Sequence, residues 1–276
     1  MSATGVSRSA RGVSAAAEGL HDGKPISVLA RAGLTARGVV YVLMGILALL
    51  VASGRNAQVD QKGALAQVLT KPFGAWIVGL LAAGFASYAM WRLSEAAFGV
   101  TGDGKKKGPR LKSLARAVIY SAFAYTAVEV LQGSRESTSK QQRDYAAKVM
   151  AHAWGRWLIA VIGLIVVVAA LAMIMEGIKL SFMRYFPEGK LAAPTRRLVC
   201  RLGRIGTIAR GIVIALTGVL LMAAAKSYDP GKASGLDGAL KTLRDRSYGG
   251  VLLGLAAAGL VIFGIYALCE ARYRRV

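Results

Sequence analysis

Six stretches of this chain stay apolar long enough to cross a bilayer, at about 32–52, 75–97, 113–131, 157–178, 205–225 and 250–269. A helix spanning roughly 30 Å of hydrocarbon needs about 20 such residues at 1.5 Å each. That requirement points to an all-α membrane protein with six transmembrane helices. Composition agrees, with 55% apolar residues and a mean hydropathy of +0.47, above an ordinary soluble domain. The third stretch is the weakest, because Arg116, Ser121, Thr126 and Glu129 interrupt it. It is retained because it occupies a fixed place in a repeat.

The repeat is carried by small residues and charges. Odd-numbered stretches contain Ala36-Arg37-Gly38, Ala115-Arg116-Ala117 and Ala209-Arg210-Gly211. Seven residues beyond each last position stands another small residue, Gly45, Ala124 and Gly218, on nearly the same helical face. Even-numbered stretches open on an aromatic residue and glycine: Phe73-Gly74, Trp154-Gly155 and Tyr248-Gly249. Glu95, Glu176 and Glu270 each follow their glycine at one constant spacing. These small residues are expected at helix contacts, as are Gly79, Ala83, Gly254 and Ala258 at i and i+4. Met44, Tyr88 and Tyr266 read as packing residues rather than cofactor contacts.

Short pieces with one apolar side lie between the paired stretches: ALAQVL at 64–69, AAKVMA at 146–151 and ALKTLR at 239–244. They read as surface-lying helices, with an ordinary loop as the alternative. The plan is then a basic, disordered tail over 1–26 that is not a signal peptide, followed by repeats over 27–100, 101–182 and 195–276.

The net charge of +22 would suggest nucleic acid in a soluble protein. Here it fits the Lys/Arg bias of cytoplasmic loops, and no nucleic-acid-binding signature accompanies it. Roughly two thirds of the 36 Lys and Arg fall on the side shared by both termini, which predicts cytoplasmic termini. All repeats then run in one direction, and a pseudo-threefold axis along the membrane normal can relate them, with the short helices on the outer face.

This topology brings Arg37, Arg116 and Arg210 to the same cytoplasmic level as Glu95, Glu176 and Glu270. Each arginine lies near a helix N-terminus and each glutamate near a C-terminus, the unfavourable ends of the helix dipole. Mutual ion pairing offsets that cost. Snorkelling to headgroups is the alternative for the arginines, but it leaves the glutamates unexplained. The sequence does not say which arginine meets which glutamate.

Catalytic and cofactor signatures are absent. GVTGDGKK at 99–106 has the Gly-x4-Gly-Lys spacing of a P-loop, but Lys106 stands where Ser or Thr is needed. His21 and His152 are the only histidines, so no metal or haem site is expected. Cys200 and Cys269 form no CxxC pair and read as inert side chains. Glu129 reaches the outer interface or serves as a proton relay.

The three A-R-[GA] helix starts, each paired with an aromatic-Gly…Glu helix, resemble a bacterial family catalogued as domain of unknown function 1206. The likeness covers about residues 27–273, with Ala117 and Glu129 as departures in the middle repeat. It implies a multipass protein of the bacterial cytoplasmic membrane and supplies no activity, substrate or catalytic residue. A looser likeness in plan to mitochondrial carriers lacks their Pro-x-acidic-x-x-basic signature.

The expectation is a non-enzymatic structural or interaction protein without cofactor or metal. Its basic loops would touch anionic lipid headgroups, and its protein partner is open. The alternative is a transporter or channel for a small solute or ion, gated by the Arg/Glu ring. An enzyme acting on lipid is a third class.

Overall fold

In the computed structural model, residues 24–55, 57–99, 107–134, 138–152, 154–186, 192–233, 235–245 and 248–274 are described. His21 and residues 100–106 of the P-loop-like stretch lie outside them. Nine α-helices and no strand form among the described residues. The first repeat contains α1 (Lys24–Ala52), α2 (Gln61–Leu69) and α3 (Gly74–Phe98). The second contains α4 (Lys107–Leu131), α5 (Thr138–Met150) and α6 (Gly155–Ile178). The third contains α7 (Ala193–Ser227), α8 (Gly235–Arg244) and α9 (Gly249–Tyr273). Six of them, α1, α3, α4, α6, α7 and α9, are long and apolar enough to cross a membrane.

The long helices pack in the order α4, α3, α1, α9, α7, α6. The small residues explain the seams. A Cβ built on Gly38 would fall within 2.9 Å of Gly264 O, and one on Gly45 within 2.9 Å of Ala257 O, so α1 lies directly on α9. Gly211 and Gly218 do the same for α7 against α6, meeting Ala170 O at 3.2 Å and Gly163 O at 2.8 Å. Counted from Glu270 and Glu176, the facing residues occupy identical positions. Ala117 is buried and Ala124 packs into the core that α3 shares. Each odd span therefore seats its small face on the preceding even span, with α9 preceding α1.

Seams within the repeats are uneven. Gly33 lies against Tyr88 and Gly84 against Ala36, joining α1 to α3. Gly206 on Phe263 and Gly259 on Ala209 join α7 to α9 at matching positions. In the middle repeat the matching positions hold Lys112 and Ile165. Neither side chain permits the close approach that glycine does, and α4 and α6 do not pack along each other. Gly79 and Gly254, expected in a small-residue seam with Ala83 and Ala258, meet nothing within 4 Å of a built Cβ. The i, i+4 spacing was correct for one face, but that face turns away from the neighbouring helices.

Helices α2, α5 and α8 close the end of the bundle opposite the arginines. Gly74, Gly155 and Gly249 allow the last turn of each short helix to sit on the start of the next long one. Carbonyls of Val68, Val149 and Arg244 would be 2.3, 1.7 and 1.9 Å from a Cβ at these positions. Phe73, Trp154 and Tyr248 stand exposed beside them, as aromatic side chains do at a membrane–water interface.

Candidate functional site: a buried cluster of arginines and glutamates

Two arginines on an odd span do different work. The first, six residues before the arginine of the A-R motif, caps the preceding even span. Arg31 Nη1 donates to Ala271 O and Arg272 O, both at 2.8 Å. Arg110 donates to Ala96 O at 2.7 Å and Ala97 O at 2.9 Å. The acceptors follow Glu270 and Glu95 by one and two residues in each case, where a helix end leaves carbonyls unpaired. Arg204 occupies the same place before Arg210. The constant six-residue spacing of Arg31, Arg110 and Arg204 before Arg37, Arg116 and Arg210 is the sequence signal for this second series.

The second arginine faces the interior. Arg37 Nη1 lies 3.5 Å from Glu270 Oε2, and both side chains are buried. Glu270 Oε1 accepts a 2.9 Å hydrogen bond from Arg274, the residue that caps the C-terminus of α9. Glu95 meets neither Arg37 nor Arg116. It pairs with Arg92, three residues earlier on α3, and accepts from Ser113 Oγ of α4 at 2.8 Å. Arg92 in turn donates to Tyr88 Oη at 2.7 Å. Arg92 and Arg274 lack repeat equivalents, since Met173 and Ala267 match Arg92 and Gly99 and Leu180 match Arg274. Their i, i+3 and i, i+4 spacing to a glutamate is the signal that would have found them.

The middle repeat contributes differently. Glu176 and Arg116 are half-buried and interact electrostatically, but among the described residues neither forms an ion pair. Arg210 lies over the rings of Tyr41 at 5.0 Å and Phe263 at 4.8 Å. Arg37 shares the Phe263 ring at 4.6 Å, and Arg92 lies 4.0 Å from the Trp91 ring. Such stacking stabilises a desolvated cation by about 2 kcal/mol. All six long helices thus supply side chains to one cluster of five guanidiniums and three carboxylates.

The helix dipole does not oppose the arginines as their sequence positions suggest. α1 and α7 begin at Lys24 and Ala193, more than three turns before Arg37 and Arg210, and a dipole acts within the first turn. Only the glutamates, in or beside the last turns of α3, α6 and α9, stand at an unfavourable end. α1 also begins inside the stretch read as a tail.

A second polar network lies at the other end. Asp237 of α8 accepts from Val59 N at 2.8 Å, from Ser139 Oγ of α5 at 3.2 Å and from Lys241 at 2.9 Å, so one carboxylate touches all three repeats. Asp60 caps α2 through Gly63 N at 2.8 Å. Burial pushes its carboxyl above the usual range, against hydrogen bonds that favour the charged form. Glu129 forms an ion pair with buried Lys62 at 3.3 Å. It is a structural partner of α2.

Comparison with known proteins follows the same threefold division. The family model for Domain of Unknown Function (DUF1206) matches three times, over residues 32–99, 111–179 and 205–274. The chain is also 29% identical over 252 residues to the uncharacterized protein YxxB of Bacillus subtilis, covering 89% of this chain and 90% of that one. No solved structure matches.

Proposed function

Because the chain belongs to the DUF1206 family, whose description carries no activity, we propose its function from the geometry of the charged cluster. It is a non-enzymatic structural or interaction protein of the bacterial cytoplasmic membrane. Its termini face the cytoplasm, and its three repeats follow a pseudo-threefold plan with α2, α5 and α8 on the outer face. The Arg/Glu cluster clasps the cytoplasmic end of the helix bundle. The basic segments at that end, including exposed Arg196 and Arg197 on α7, meet anionic lipid headgroups.

One observation carries this reading: the charges link helices that are far apart in sequence and are backed by packed rings. Tyr88 and Tyr120 stand 4.2 Å apart, Tyr120 and Phe123 5.2 Å, and Phe85 and Phe123 5.8 Å. Aromatic rings packed beside the charges support a fixed clasp over a conduit with a charged gate.

The test compares wild type and Glu270→Gln in detergent and in sealed vesicles. Breaking a buried pair costs about 3–5 kcal/mol, so the variant should melt earlier. Vesicles of both proteins should hold small ions equally well. Ion leakage that appears only with Glu270→Gln would instead favour the transporter or channel reading.

A further inference from the structure

The cluster and the break in the bundle occur together. Five guanidiniums face three carboxylates, so the cluster keeps an excess of positive charge. Nε of Arg37, Arg92, Arg210 and Arg274 is buried without a hydrogen-bond partner. A buried donor left unsatisfied is costly, and more so when charged. Another cation, Arg92, is the charged side chain that acts most strongly on Arg116. Arg116 lies on α4, and α4 does not pack against α6. Lys112 and Ile165 stand where glycines close the equivalent seams of the other two repeats. Val118 on α4 and Ile165 and Val168 on α6 are among the exposed apolar side chains of the two helices.

We propose that the opening between α4 and α6 holds one anionic phospholipid, with its phosphate against Arg116 and Arg210 and its acyl chain along the two apolar helix faces. An anionic phosphate diester supplies the acceptor oxygens and the negative charge that this cluster lacks, and guanidinium binds phosphate with matched geometry. The acyl chain fills the seam along which α4 and α6, among the described residues, do not pack. The site is distinct from surface contact between basic segments and headgroups, because it requires the lateral opening. It rests on the reading that the cluster lies at the level of the inner leaflet.

The test is native mass spectrometry of the full chain in detergent, offered equal amounts of phosphatidylglycerol and phosphatidylcholine. Wild type should retain one phosphatidylglycerol with roughly tenfold preference. Arg116→Gln with Arg210→Gln should remove that preference, whereas Lys226→Gln, exposed in the last turn of α7 at the other end of the bundle, should keep it. Ile165→Trp leaves the charges intact and should lower retention by blocking the opening. Equal retention of both lipids by wild type overturns the proposal. So does displacement of phosphatidylglycerol by inorganic phosphate at equal concentration, which would identify a free anion as the occupant. The clasp is tested separately by the melting temperature of Glu270→Gln without added lipid.

Discussion

Glu270 shows how a single carboxylate serves two guanidiniums in an apolar setting. One oxygen is hydrogen-bonded to Arg274 and the other faces Arg37, so neither cation is left alone in the core. Asp60 is the contrasting residue. Its carboxyl is raised by burial, so the folded protein holds that proton more tightly than the unfolded chain does. The folded state therefore loses stability as pH rises through the unfolded and then the folded value, and the full penalty stands above both. Asp60→Asn keeps an oxygen acceptor for Gly63 N and removes the charge. Melting curves should show this variant more stable than wild type at neutral pH, with the gap closing on acidification. A gap that widens on acidification would contradict the assigned direction.

At the scale of helices, the seams are set by which face a small residue occupies. Gly218 has Gly163 O at 2.8 Å from a built Cβ, while Gly254 has nothing within 4 Å. Gly218→Leu should lower stability by about 1–3 kcal/mol through overpacking, whereas Gly254→Leu should stay within about 0.5 kcal/mol of wild type. Thermal melts in one detergent compare the two, and similar losses would mean that the seams are misassigned. The same contrast explains what was legible in the sequence. Apolar length and constant spacing marked the six spans, the three repeats and the Arg/Glu residues, because each reflects a local or periodic constraint. Gly79 and Gly254 misled because i, i+4 spacing fixes a face without saying what that face meets. Arg92 and Arg274 were missed because each occurs in only one repeat, so periodicity alone gave no reason to notice them.

Across the whole molecule, both ends of the bundle are tied by charge, but in different ways. At one end Asp237 gathers the three repeats through a backbone amide, a serine and a lysine. At the other, arginines and glutamates from every long helix converge. The division into three is readable from sequence, but the asymmetry is not. It comes from Lys112 and Ile165, two ordinary residues whose importance appears only beside the glycines that replace them elsewhere. The middle repeat is therefore the place where the bundle departs from its own plan. The most direct test of the clasp is a double-mutant cycle on Arg37 and Glu270, using Arg37→Glu, Glu270→Arg and the two together. Unfolding of the purified chain in detergent should show each single change losing about 3 kcal/mol or more, with the swapped pair recovering a large part of that loss. Losses that simply add, with no recovery in the double variant, would contradict it.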